Sequence, residues 1–241
     1  GEHDLDGMAA VVGDRTRAVI VCRNNPTGPI VRHDDLVRLL AAVPADVLVI
    51  LDEAYIEFVT DDAVARGADL LALHPNLVVL RTFSKAWGLA GLRLGYAIGD
   101  PRVLQAARSA AIALSVTDAA QLAGVVSLEH EEELRERIAV LVERRDRVRD
   151  GLLALGLRVP AAQGNFVWLP AGDDAAVVAE RFDEAGLVTR AFPGDGVRIS
   201  IGEEESVEIL LRTAADLGAV LTKGSPAFRV DWSDAPTGPE A

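Results

Sequence analysis

Lys85 lies in the stretch RTFSKAWGLAGLRLGYAIG, which runs from Arg81 to Gly99. Of the 24 basic residues in the chain only Lys85 and Lys223 are lysines; the rest are arginines. A lysine amine condenses with an aldehyde to form a Schiff base, whereas a guanidinium stays protonated and does not. Thr82 and Ser84 place hydroxyls beside Lys85, Arg93 follows eight residues on, and Gly88 and Gly91 are expected to let backbone approach closely. Hydroxyls and a forked guanidinium make a cradle for a phosphate. An aldehyde that carries a phosphate is pyridoxal phosphate. Alone, Lys85 could equally be a surface lysine; its neighbours are what point to this chemistry.

Three further positions could complete such a site. Asp52 ends the apolar run VLVIL, where a carboxylate should be largely buried unless it has a cationic partner. The pyridinium nitrogen of pyridoxal phosphate needs such an anion, because the protonated ring is the electron sink for carbanion chemistry. Tyr55 follows three residues later and could hydrogen-bond the ring hydroxyl, as could the Asn25 amide, presented by the turn NNPTG. Each has an ordinary structural alternative: a helix cap for Asp52, a core position for Tyr55, a plain turn for Asn25. Arg198, in the strand-like GVRISIG, could grip a substrate carboxylate bidentately, or stand on the strand's outer face, since Val197, Ile199 and Ile201 alternate with it.

The elements that must position these residues follow from periodicity. Short β-branched or continuous apolar runs predict strands at 17–22, 47–51, 77–80 and 94–98. Helical spacing predicts helices at 33–43, 101–109, 118–128 and a long one at 131–155, with Leu134, Ile138, Leu141, Val148, Leu152 and Leu155 as its apolar stripe. Its charges predict the i,i+4 pairs Glu131/Arg135, Glu133/Arg137 and Glu143/Arg147 on a solvated face. Strands alternating with helices imply a largely parallel sheet covered on both faces, with ligands beyond the carboxyl ends of its strands. Asn25, Asp52 and Ser84–Lys85 all fall there. Beyond Gly156 the pattern changes to strand (165–169), helix (174–185), strand (187–190), strand (197–201) and helix (203–217). The expected organisation is a cofactor-binding large domain over 1–130, a connecting helix over 131–155, a small α+β domain over 156–220 and a disordered tail over 221–241.

Composition narrows the function. A net charge of −13 argues against a nucleic-acid partner, which needs a basic surface. The weakly charged stretch 109–128 is interrupted by Ser115, Thr117, Asp118 and Gln121, and reads as a buried helix or helix pair, not a membrane span. No signal peptide is read at the start, and the single cysteine, Cys22, suits a reducing cytoplasm. No residue is assigned to a metal.

Taken in order, NNPTG, LDEAY and TFSKAWGLAGLRLGY resemble the fold-type I pyridoxal-phosphate aminotransferases of class I/II, in the branch of the histidinol-phosphate and aromatic (phenylalanine) enzymes. RTFSKAWGLAGLRLGYAIG and GNFVWLP look more like the aromatic side, and the resemblance covers roughly residues 4–217. It implies a transferase-type large domain with a smaller α+β C-terminal domain. It implies Lys85 as the lysine that binds pyridoxal 5'-phosphate, Asp52 on the ring nitrogen, and Tyr55 and Asn25 on the ring hydroxyl. Thr82, Ser84 and Arg93 would take the phosphate, and Arg198 with Asn165 the substrate. The activity implied moves an amino group between an aromatic L-amino acid, such as phenylalanine, and 2-oxoglutarate through a Lys85 Schiff base, in a cytoplasmic homodimer. Histidinol phosphate as donor, a decarboxylase of the threonine-phosphate type and an inactive shortened chain are the alternatives. The chain departs from the family pattern in a turn one residue short with Arg23 at its start, in Trp87 where tyrosine is common, and in lacking about a hundred residues that family members carry at the N-terminus. On this reading the large domain is incomplete.

Overall fold

The structure is a computed structural model that describes residues 2–61, 64, 66–219, 221 and 227. The chain divides into two compact units: Gly1–Val142 with Gln163–Asn165, and Glu143–Ala162 with Phe166–Ala241. The expected disordered tail falls outside the described residues, apart from Leu221 and Ala227.

The first unit is built on a four-stranded sheet in the order β1 (Ala18–Cys22), β2 (Leu48–Asp52), β3 (Leu77–Thr82), β4 (Gly95–Gly99). β1, β2 and β3 run parallel and β4 pairs antiparallel to β3. The continuous apolar runs form these strands as expected; burial alternates along β1 and β2, while Val78 of β3 is buried as well as Leu77 and Val79. Val19, Val21, Val49, Leu51, Leu77 and Val79 are buried in one apolar cluster with Leu5 of α1 (Leu5–Ala10) and Leu36, Leu39 and Leu40 of α2 (His33–Ala42). The sheet is less covered at Ile20 and Leu80, which are 60% and 37% exposed.

β4 leads to α3 (Pro101–Ser109), whose first N–H groups are capped by Asp100 Oδ1 on Arg102 N at 2.8 Å, and to α4 (Asp118–Glu129), capped by Thr117 Oγ1 on Ala120 N at 3.2 Å. The expectation that 109–128 is buried does not hold: Ile112, Leu114, Leu122 and Val125 are exposed, and only Ala120 and Gly124 of α4 are buried. Small side chains let this helix approach Phe83 and Leu94, so the larger apolar ones turn outward.

α5 (Glu131–Ala154) spans the division between the units. Leu134, Val148 and Leu152 of its stripe are buried, but so is Arg145, whose Nε donates to Asp146 Oδ1 at 2.8 Å. Of the three expected charge pairs, Glu131–Arg135 forms at 2.7 Å. Glu133 instead takes His130 Nδ1 at 3.0 Å, and Arg147 takes Glu204 at 2.5 Å. Gly156, at φ 83, ends the helix: its N–H donates to Leu153 O and that of Leu157 to Leu152 O, which takes Leu155 out of the stripe.

The second unit pairs β5 (Phe166–Leu169), β7 (Gly196–Ser200) and β6 (Arg190–Phe192) in the order β5-β7-β6, all antiparallel, with α6 (Ala175–Glu184) and α7 (Glu204–Ala215). The strand expected over 187–190 sits at Arg190–Phe192 instead. Gly186 at φ 81 closes α6 with bonds from Gly186 N to Asp183 O and from Leu187 N to Phe182 O. That closure uses residues 186 and 187 to leave the helix and exposes Val188, so pairing begins only at Arg190, opposite Arg198.

Candidate active site

Three parallel strands end on one edge. β1 closes at Cys22, opposite Asp52; β2 closes at Asp52, opposite Leu80; β3 runs two residues further, to Thr82, opposite Gly95. Asn25, Asp52 and Lys85 therefore issue from neighbouring strand ends, as expected of a ligand site in such a sheet.

Asp52 is half-buried. Its Oδ1 accepts from Ala54 N at 3.0 Å, which turns the chain out of β2, and its Oδ2 lies 4.0 Å from Cys22 Sγ. It was expected to be largely buried unless paired; the buried carboxylate is its neighbour Glu53. The Cys22 thiol is pushed up, first by burial and then by the Asp52 charge. Tyr55 is buried, and Lys85 Nζ stands 5.2 Å from the centre of its ring. That contact orients an otherwise exposed lysine toward the end of β2.

Thr82 Oγ1 accepts from Ser84 N at 3.0 Å and donates to Leu94 O at 3.3 Å. Phe83 is buried between Trp87 and Tyr96, with ring centres 5.5 and 5.8 Å away, and anchors the segment on either side of it. The chain then turns back with Gly88 N on Lys85 O at 3.0 Å. The glycines act differently from the expectation. A side chain at Gly88 or Gly91 would meet nothing within 4 Å, so neither serves close approach. Gly88 is there for its φ of 71, and the close approach is at Gly95, where a Cβ would lie 2.9 Å from Arg81 O. Arg93 is exposed, at φ 54, with Nη1 donating to Ala90 O at 2.7 Å.

Asn25 is half-buried in a turn closed by Gly28 N on Asn24 O at 2.9 Å. Asn24 Nδ2 donates to Gln163 O at 2.6 Å, and Gln163 N donates to Gly28 O at 3.1 Å. Gln163 Oε1 also accepts from Thr60 N at 2.7 Å, so one residue far along the chain ties two loops of this edge together. Asn165 belongs to the same unit and is half-buried. Arg198 lies in the second unit on β7, its guanidinium 5.3 Å from the centre of the Phe166 ring. Val197, Ile199 and Ile201 are buried on the opposite side, as the alternation required.

Sequence reasoning missed a buried ion cluster beneath this edge. Glu53 Oε1 accepts from Arg23 Nη1 at 2.5 Å and Gly67 N at 2.7 Å; Oε2 accepts from Arg81 Nη2 at 2.8 Å and Nε at 3.1 Å. Arg23 and Glu53 are each 1% exposed. Burial pushes the Arg23 guanidinium down against the pull of Glu53, whereas at the less buried Arg81 burial is outweighed by Glu53 and Tyr96 together, which hold it up. No local pattern signals the cluster, because Arg23 and Arg81 each lie about 30 residues from Glu53 along the chain. A cavity of about 200 Å³ lined by Glu57, Arg66, Arg81, Trp87 and Tyr96, among others, lies in the same unit, and none of the candidate cofactor residues lines it. Among the described residues no group of His, Cys, Asp and Glu could hold a metal, and no helix is long and apolar enough to cross a membrane.

The donor set fits pyridoxal phosphate. It offers an accessible amine, a carboxylate at a strand end with one oxygen 4.0 Å from a thiol, a phenol beneath the amine, and hydroxyls with a guanidinium on the adjoining turn.

Comparison with known proteins agrees. The profile of the family described as aminotransferase class I and II matches residues 1–213. An aromatic amino acid aminotransferase of Thermobifida fusca is 50% identical over 213 residues, 88% of this chain and 59% of that protein. One from Streptomyces coelicolor is 48% identical, over 89% of this chain and 60% of that protein. The solved histidinol-phosphate aminotransferase of Sinorhizobium meliloti, in complex with pyridoxal-5'-phosphate, superposes with a TM-score of 0.80 at 28% identity, over 91% of this chain and 62% of that one. The chain thus spans about 60% of the length of these relatives.

Proposed function

Because this chain belongs to the aminotransferases of class I and II, we propose that it carries the chemistry of a pyridoxal-phosphate-dependent transfer of an amino group between an aromatic L-amino acid and 2-oxoglutarate. The observation that carries this reading is the Lys85 amine held over the Tyr55 ring at the strand edge that also presents Asp52. The aromatic donor is favoured over histidinol phosphate by the 50% identity to the Thermobifida fusca enzyme, against 28% to the Sinorhizobium meliloti one.

When bound, the cofactor supplies an electron sink for the electron pair left by the substrate Cα–H bond. The chain's residues do the rest. Lys85 would anchor the cofactor aldehyde and, once displaced by the substrate amine, would take the proton from Cα and return it to the carbon that had carried the aldehyde, as a general acid/base. Asp52 keeps the ring nitrogen protonated. Tyr55 and Asn25 hydrogen-bond the ring hydroxyl, and Thr82, Ser84 and Arg93 hold the phosphate. Arg198 takes the substrate carboxylate through its two-pronged guanidinium, assisted by Asn165. Hydrolysis by one water would release the 2-oxo acid, whose carbonyl oxygen comes from that water, and leave the amino group on the cofactor; 2-oxoglutarate would collect it by the same steps reversed, returning the water. We propose a cytoplasmic homodimer as the working form, supported by the reducing environment that Cys22 suits and by the exposed Ile112, Leu114, Leu122 and Val125.

Titrating the protein with pyridoxal phosphate tests the reading. A visible absorption band should form that borohydride reduction fixes on Lys85, and Lys85→Arg should lack it. A band unchanged in Lys85→Arg would remove Lys85 from its role. Steady-state rates with phenylalanine and with histidinol phosphate, each with 2-oxoglutarate, decide the donor.

A further inference from the structure

Glu53 touches every strand end that delivers a candidate cofactor residue. Through Arg23 Nη1 it holds the exit of β1, two residues before Asn25; by its own position it follows Asp52; through the two bonds from Arg81 it holds β3 one residue before Thr82. Its fourth bond, from Gly67 N, fastens the turn that leads toward β3. The backbone repeats the pattern: Arg23 N donates to Asp52 O, and Glu53 N to Leu80 O, so the register extends past the strands to this carboxylate. Arg23 also donates from Nε to Val31 O at 3.4 Å, while Val31 N returns to Arg23 O at 3.0 Å. The turn with Asn25 at its centre is thereby clamped at its base.

Arg23 is the residue at the head of the turn NNPTG, and its side chain reaches the buried Glu53 carboxylate, which gives the turn a fixed anchor. We propose that the Arg23–Glu53–Arg81 triad is the positioning element of this site: Glu53 locks the β1 turn to the β2 and β3 ends, so that Asn25, Asp52 and Thr82 keep a common geometry. This deepens the cofactor-site reading and rests on it for the roles of those three residues. None of the three is among the candidate cofactor or substrate residues. The effect of the triad is to spare the turn from opening, since a charge-assisted bond between buried partners opens far more rarely than one exposed to water.

Hydrogen–deuterium exchange on the protein and three variants tests this without requiring activity. In Arg23→Met, the amides of Gly28 and Val31 should exchange about tenfold faster, the loss expected for one charge-assisted bond, while those of Val21, Val49 and Val79 in the strand interiors stay unchanged. Glu53→Gln should add faster exchange at Gly67. Arg23→Met with Glu53→Gln together should be no faster at Val31 than Glu53→Gln alone, because both cut the same link. Arg23→Lys should recover part of the protection. Uniform acceleration across the strands would make the triad a general stabiliser, and no change at Gly28 and Val31 would remove its role; either result overturns the proposal. Arg23→Met keeps Glu53 neutralised by Arg81, so it remains informative if Glu53→Gln fails to fold. Pyridoxal phosphate affinity, read by the same band as above, should fall in Arg23→Met with the Lys85 linkage intact. Absence of any Lys85-dependent band in the unmodified protein would instead count against the cofactor reading, leaving the exchange pattern to decide the triad.

Discussion

The three glycines of WGLAGLRLGY should respond to one methyl group in three different ways. At Gly95 an added Cβ would lie 2.9 Å from the Arg81 carbonyl oxygen, and that obstacle is backbone in the neighbouring strand. Relief requires β4 to move off β3 by several tenths of an ångström at the Thr82–Gly95 pair, which is a case of overpacking and costs about 1–3 kcal/mol. At Gly88 space is open but φ is 71, so alanine there costs about 1–2 kcal/mol through the left-handed backbone. At Gly91 nothing lies within 4 Å and φ is ordinary, so alanine should be neutral or stabilise by up to about 1 kcal/mol through the unfolded chain. For a chain of this size each kcal/mol moves Tm by roughly 2–4 °C. Thermal unfolding followed by circular dichroism should therefore show Gly95→Ala lowered by about 4–8 °C for a mid-range cost, Gly88→Ala by about 3–6 °C, and Gly91→Ala hardly moved. Gly95→Ala should also weaken pyridoxal phosphate binding more than Gly88→Ala, because the displaced pair includes Thr82. If Gly91→Ala is as damaging as Gly95→Ala, or Gly95→Ala melts with the unmodified protein, the assignment of these glycines is wrong.

Two electrostatic predictions follow from the same unit. Burial raises the Glu57 pKa above its ordinary 4.5, opposed by its backbone hydrogen bond, Arg81 and Trp87. The folded state therefore holds that proton more tightly than the unfolded state, and ionisation weakens the fold as pH rises from about 4.5. Glu57→Gln, always neutral, should melt higher than the unmodified protein at about pH 8 and converge with it near about pH 4; a gap that widens toward acid would contradict this. The Cys22 thiol, raised by burial and by Asp52, should react with iodoacetamide more slowly than a free cysteine, and Asp52→Asn should speed it severalfold. An unchanged or slower rate in Asp52→Asn would show that the carboxylate does not act on the thiol.

The sequence by itself determined the parts of this protein that depend on neighbours along the chain. Short apolar runs rich in Val and Ile, such as AVIVC and LVILD, read as strands, and the polar residues that end them had to meet at one sheet edge once those strands ran parallel. Lys85 was legible because its chemistry is unlike that of the arginines around it. Tertiary structure decided what depends on residues far apart. Arg23 and Glu53 are separated by 30 positions and Arg81 and Glu53 by 28, and no local pattern states that three charges will share one buried point. Likewise Gly95 reads like Gly91 until β3 is laid beside it, and the apolar stretch 109–128 reads as buried until its helix presents alanine and glycine to the sheet and turns its larger side chains out. Propensity and periodicity are summed over a few residues. Burial, close approach and ion pairing are set by whatever the rest of the chain brings to the same place, and in this fold that partner is usually the next strand, some 30 residues away.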